Sequence, residues 1–101
     1  MGLRKAALWS PEAQSDIRDV SDYYEKFAGP RTAENVLRDI AEGIDLLEAH
    51  PYSGRARREI RPNLRSFPVH RFVVFYQVVE ETVQVIRILD GRRDVDTQLA
   101  A

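Results

Sequence analysis

The chain has no cysteine, one methionine, one tryptophan and two histidines among its 101 residues. Without cysteine, disulfides, thiolate zinc sites and cysteine nucleophiles are excluded. The composition suits a reducing cytosol, where the protein is expected. His50 and His70 have no metal-ligand spacing between them and no recognisable motif around them, so neither a transition-metal site nor a serine–histidine nucleophile has much to build on. Glycine-rich phosphate loops are missing. Magnesium or calcium would need converging carboxylates, and the acids of this chain recur instead at solvent-facing helical positions. No cofactor is therefore expected. No apolar stretch approaches membrane-spanning length and no h-region follows Met1, so neither a membrane span nor a secretory leader is expected.

The length suits one domain, 1–101, with one modest core. The formal charge of −1 gives no global case for nucleic-acid binding. Its distribution is more informative. Residues 11–49 hold Glu12, Asp16, Asp19, Asp22, Glu25, Glu34, Asp39, Glu42, Asp45 and Glu48 against Arg18, Lys26, Arg31 and Arg38, a net −6. Residues 50–76 hold Arg55, Arg57, Arg58, Arg61, Arg65 and Arg71 against Glu59, a net +5. The folded molecule should be electrically lopsided.

Lys5–Trp9 is short and apolar-leaning and reads as a first strand. Ser10 fits a helix N-cap, Pro11 the first helical position and Glu12 the first turn. Ala13, Ile17, Val20, Tyr24 and Phe27 then recur at helical spacing, and Gly29 ends the helix. An amphipathic core helix accounts for the acids between them better than a catalytic role does. Pro30 opens a second helix with a stripe of Ala33, Val36, Leu37, Ile40, Ile44 and Leu47, and Pro51 stops it. Gly43, inside that stripe, could permit a close helix–helix contact. With almost no connection between them, the two helices should form an antiparallel hairpin. Pro51–Pro62 reads as a loop.

Asn63–Val69 alternates as a strand, with Pro68 marking an edge or a bulge. Phe72–Val79 and Val83–Leu89 are valine-, isoleucine- and aromatic-rich runs separated by Glu80, Glu81 and Thr82, and read as antiparallel neighbours. The order is β-α-α-β-β-β, an α+β arrangement with the hairpin on one face of a mainly antiparallel sheet. Strict alternation puts Ile86 and Ile88 on one face and Val83, Val85, Arg87 and Leu89 on the other. The face without helices then needs a cover. Arg87, mid-strand among apolar neighbours, should pair with Asp90 or Glu59 or reach toward a partner.

In this order and spacing, several segments resemble the ParE toxins of the RelE/ParE superfamily. They are Trp9-Ser10-Pro11-Glu12-Ala13, the helical hairpin, the run from Pro51 to Val69, Phe72-Val73-Val74-Phe75-Tyr76, and Val85-Ile86-Arg87-Ile88-Leu89-Asp90-Gly91-Arg92-Arg93-Asp94. The likeness covers nearly the whole chain. It implies a toxin of a bacterial type II toxin–antitoxin pair, with DNA gyrase as the usual target. It also implies a ParD-like antitoxin that neutralises the toxin and represses the shared operon, so that operator DNA is met only through the antitoxin. RelE-like relatives instead cut messenger RNA on the ribosome, using basic residues and a histidine or tyrosine near the C-terminus. Arg71 and Arg93 fall where such relatives carry arginines, but the tail after Arg93 has no tyrosine, histidine or lysine. ParE-like chains often carry histidine where Asp90 stands, and an ordinary carboxyl is ionised near neutral pH.

The expected reading is a gyrase-directed toxin with no catalytic residues. The alternatives are a ribosome-dependent endoribonuclease and a harmless relative that only binds its antitoxin. Antitoxin contact is expected at Leu64, Arg65, Phe67, Val69, Arg71, Val83, Val85, Arg87 and Leu89. Target contact is expected at Arg87, Gly91, Arg92, Arg93 and Asp94.

Overall fold

The computed structural model describes residues 5–93 and 95–100. The elements are β1 (Leu8–Trp9), α1 (Pro11–Ala28), α2 (Pro30–Ala49), β2 (Arg55–Ala56), β3 (Arg65–Val69), β4 (Phe72–Val79), β5 (Thr82–Asp90) and α3 (Val95–Ala100). The expected β-α-α-β-β-β order is present, with two additions. The segment read as a loop contains the two-residue β2, and the tail forms the short α3. The sheet runs β1-β5-β4-β3-β2, antiparallel except for β1 beside β5.

Ser10 shows why the first strand and first helix meet where they do. Its hydroxyl accepts from the Ala13 amide at 2.9 Å, capping α1. The same hydroxyl donates to the Ile86 carbonyl at 2.6 Å, and its own amide donates to the Val85 carbonyl at 2.9 Å. The N-terminus of α1 is thus pinned to the edge of β5. Gly29 alone joins α1 to α2, so the hairpin is as tight as the sequence implies. Phe27, expected in the apolar stripe, is 66% exposed and lies against Tyr23 with ring centroids 5.0 Å apart.

The hairpin covers one face of the sheet. Ala13, Val20, Ile40, Ile44 and Leu47 pack with Val69, Phe72, Val74, Tyr76, Val83, Val85 and Ile88. A Cβ on Gly43 would meet Val69 Cγ2 at 2.9 Å. The close approach there is therefore helix to strand, not helix to helix. On the opposite face Leu64, Phe75, Leu89 and Leu99 form a second buried cluster, flanked by Ile60, Val73, Ile86 and Val95. The cover expected from a partner is in part supplied by the chain itself, through α3 and the residues before β3.

The expected alternation along β5 needs correction. Phe75 pairs with Arg87 but Tyr76 pairs with Val85, so Ile86 is an extra residue and β5 is bulged. Val83, Val85 and Ile88 share the helix-covered face, and Ile86 and Leu89 lie toward the other. Strict alternation fails at the bulge, which sits where the start of α1 meets β5. The Ile86 carbonyl accepts from Ser10, and the Ile88 amide donates to Asp16 Oδ2 at 2.9 Å.

Tyr76 fixes the start of β2. Its hydroxyl accepts from the Gly54 amide and donates to the Pro51 carbonyl, both at 2.8 Å. Burial pushes the phenol above its ordinary value of 10.0, so it keeps its proton for the second bond. A Cβ on Gly54 would come within 2.4 Å of that hydroxyl and 2.8 Å of the Ser66 carbonyl. Tyr76→Phe leaves a buried amide and a carbonyl unpaired, at about 1–3 kcal/mol. Thermal melting should fall by roughly 4–8 °C per kcal/mol lost, and amide exchange at Gly54 and Arg55 should quicken. Unchanged melting would show that the hydroxyl does not hold this loop.

Candidate functional site

The end of the sheet nearest α1 carries a cleft of about 310 Å³, lined among others by Asp16, Tyr23, Arg71, Arg87, Asp90 and Arg93. Two carboxylates organise it. Asp16 sits three residues after Ala13 and four before Val20, so it shares their inward face. Its two oxygens accept from Arg87 Nε at 2.8 Å and a terminal guanidinium nitrogen at 2.9 Å. This fork-on-fork pair stands in place of the expected partners Asp90 and Glu59. The Asp16 bond raises the Arg87 pKa further above its ordinary value.

Asp90, at the end of β5, serves two other arginines. It accepts from the Arg92 backbone amide at 3.0 Å and from the Arg92 side chain at 3.3 Å. Arg71 approaches it at 3.0 Å. The Arg92 side chain, then its amide, then the Arg71 charge, hold the Asp90 carboxyl below its ordinary 3.8. Arg71 lies 5.4–5.6 Å from the rings of Tyr23, Tyr24 and Phe72. Its Nε is buried with no hydrogen-bond partner among the described residues. Among the described residues, no three histidine, aspartate or glutamate side chains converge as a metal site would require.

The residues expected to meet an antitoxin do not share one surface. Val83 and Val85 are each 1% exposed beneath the hairpin, with Val69 and Phe67 packed on the same side. Leu64 and Leu89 are buried on the opposite face under Leu99. The charged members separate into two places. Arg71 and Arg87 line the cleft. Arg65 lies at the far edge, donating to the Gly54 carbonyl at 2.8 Å and resting 5.0 Å from the Tyr52 ring. The residues expected to meet a target are closer together. Arg87 and Arg93 line the cleft, Gly91 donates to the Arg71 carbonyl at 2.8 Å, and Arg92 grips Asp90. Asp94 lies outside the described residues. The sequence reading missed Asp16, Tyr23 and Tyr24 as site residues. For Asp16 the available signal was an acid placed within the apolar stripe of α1.

A hairpin laid on one face of a sheet in this way is a fold already seen among solved structures. A chain described as the chromosomal ParDE TA system from P. aeruginosa superposes with a TM-score of 0.72 at 24% identity, covering 84% of this chain and 94% of that one. The family model for the ParE toxin of the type II toxin-antitoxin system, parDE, matches residues 7–95. Toxin ParE1 of Mycobacterium tuberculosis (strain CDC 1551 / Oshkosh) is 39% identical over 93 residues, covering 91% of this chain and 95% of the relative. Toxin ParE3 of Caulobacter vibrioides is 39% identical over 71 residues, covering 70% and 71%. The chain belongs to the ParE toxin family of type II toxin–antitoxin systems.

Two predictions follow from the carboxylates. Asp16→Ala strips Arg87 of both bonds and leaves the Ile88 amide without its acceptor, and should cost about 1–3 kcal/mol. Asp16→Asn, which keeps one acceptor oxygen, should lose less. A melting temperature for Asp16→Ala equal to wild type would show the pair to be dispensable. For Asp90 the native pKa lies below the unfolded one, so its contribution is complete above the unfolded value. It fades as pH falls through the native value below 3.8. Asp90→Asn should therefore lower stability at pH 7 and flatten its loss below pH 4. Parallel acid limbs for wild type and variant would contradict the assignment.

Proposed function

We propose that this toxin acts by binding to DNA gyrase, without an active site of its own, and that a ParD-like antitoxin neutralises it. The observation that carries the reading is that Arg71, Arg87 and Arg92 at the cleft are paired with carboxylates of the chain. Metal-free cleavage of RNA needs a base for the 2′-hydroxyl, an acid for the leaving oxygen and stabilisation of developing charge. Arg87 and Arg92 are held charged by their carboxylates. Asp90 is held ionised below the range in which a carboxyl exchanges protons efficiently near neutral pH. These groups supply charge and shape, which serve binding. Arg92 and Arg93 are exposed on the turn after β5, next to the cleft, where they can meet an acidic or phosphate-bearing surface of a gyrase–DNA complex.

Arg92→Ala/Arg93→Ala should fold, keep its antitoxin and weaken inhibition of gyrase supercoiling about tenfold or more, a loss of about 1.4 kcal/mol. Inhibition equal to wild type would remove the turn from the site. The RelE-type alternative is read on the same preparation, by mapping messenger ends after incubation with translating ribosomes. Site-specific cuts that vanish in Arg71→Ala would overturn the binding-only reading.

The antitoxin is expected to present a segment that is apolar on one side and acidic on the other, folding as it binds. The arginines of 55–65 should steer it, so association quickens at low salt. Arg65→Glu should slow association at low ionic strength and converge on wild type at high salt. Equal on-rates throughout would exclude steering by this segment.

A further inference from the structure

We propose that the open edge of the sheet at β2 is a docking site for an extended acidic peptide segment. The segment adds to β2 as a further strand and sets its carboxylates against Arg55, Arg58 and Arg65. The proposal deepens the antitoxin reading by giving the partner's contacting segment a conformation and a place.

β2 is the last strand on its side of the sheet, and both its residues are exposed. The Arg57 amide donates inward to the Leu64 carbonyl at 2.8 Å. Since backbone groups alternate direction along a strand, the Ala56 N–H and C=O face outward, where nothing in the sheet pairs with them. Beside this edge is a cleft of about 190 Å³, lined by Tyr52, Ala56, Arg58, Leu64, Arg65 and Val78 among others, with no carboxylate among its described lining residues. Arg58 and Arg65 give its lining a cationic character.

The arginines here differ from those of the cleft beside α1. Arg71, Arg87 and Arg92 each have a carboxylate of the chain within 3.3 Å. Arg55, Arg58 and Arg65 have none within ion-pair distance among the described residues. Glu59, the acid of this segment, is taken by Arg57 at 2.7 Å. Arg65 is nonetheless held in place, on the Tyr52 ring and the Gly54 carbonyl. A positioned guanidinium without an anion, next to a free strand edge, fits a ligand that brings both a backbone and carboxylates. Side chains two apart on a strand are about 6.7 Å from each other on one face, a spacing that can engage neighbouring arginines in turn.

Single-stranded nucleic acid is the weaker fit. It has no backbone amides for the edge, and one face of Tyr52 already carries Arg65. A second copy of the chain fits less well, since its acids lie mostly on α1 and α2, not on strands.

The test uses three fluorescein-labelled probes on the whole protein. They are an eight-residue acetylated peptide alternating glutamate and threonine, the same peptide with lysine for glutamate, and a ten-nucleotide oligothymidylate. The glutamate peptide should bind tightest by anisotropy and shift the backbone amide resonance of Ala56. Arg58→Glu and Arg65→Glu should each weaken it about tenfold. Ala56→Pro removes the outward N–H and leaves the β2–β3 bonds, and should abolish strand addition at unchanged melting temperature. Should the proline variant melt early, the exposed Arg58→Glu decides alone. Tighter binding of the oligonucleotide, equal binding of the lysine peptide, or indifference to Arg58→Glu each overturns the proposal. An antitoxin captured equally by wild type and by folded Ala56→Pro also overturns it and leaves the antitoxin reading standing. An antitoxin that wild type fails to capture overturns that reading instead.

Discussion

The Asp16 carboxylate is the constraint on which the cleft end of the molecule depends. It lies on the inward face of α1, where an unpaired charge would be costly. It is tolerated because β5 offers three donors, two from the Arg87 guanidinium and one from the Ile88 amide. The donors lie just past the bulge at Ile86, where Ser10 takes the Ile86 carbonyl and Asp16 the Ile88 amide. Helix cap, bulge and ion pair support one another. Past the bulge the alternation of β5 is reset. Ile88 faces the hairpin, and Asp90, two residues on, lies where Arg71 and Arg92 can reach it.

Much of this was legible in the sequence because much of it is periodic or local. Ser10-Pro11-Glu12 marks the start of α1 through cap chemistry that needs no tertiary context. Gly29-Pro30 fixes the hairpin because two helices joined by so little chain must turn back on each other. What the sequence hid depends on contacts between distant segments. A bulge leaves no mark in Val83-Gln84-Val85-Ile86-Arg87-Ile88-Leu89, where residues of both parities are apolar. Alternation breaks where α1 meets β5 at Ile86 and Ile88. For Arg87 the sequence leaves Asp90, Glu59 or a bound partner open, since nothing local marks its acid. The partner instead comes from 71 residues away. β2 was hidden because two residues carry no pattern, and it exists through the Gly54 approach to Tyr76.

The same long-range pairing changes the meaning of the arginine count. Six arginines in residues 50–76 read as one basic segment, but the fold divides them. Arg71 is drawn into the aromatic surroundings of Tyr23, Tyr24 and Phe72 and given to Asp90. Arg57 is given to Glu59. Arg61 donates to the Leu99 carbonyl and holds α3 over the second cluster. Arg55, Arg58 and Arg65 remain around the β2 edge with no carboxylate within ion-pair distance among the described residues. Charge summed along the chain overstates what a partner meets at the cleft and understates how concentrated the available charge is at the edge.

Division of labour between the two ends follows from that sorting. A surface whose arginines are held by the chain's own acids exchanges one set of ion pairs for another when a partner arrives, and the gain is small because the existing pairs must first be broken. Such a surface selects by shape and by the placement of a few exposed groups, here Arg92 and Arg93. A surface whose arginines have no such acids attracts from a distance and gives up no internal pair on contact. The first arrangement suits recognition of one particular target. The second suits fast capture of a flexible acidic chain, whose affinity must also cover its own ordering on binding. Under the proposed function, a toxin caught by an antitoxin and acting on one target calls for both, and a sheet with α1 across one end and an open edge at the other has room for them apart.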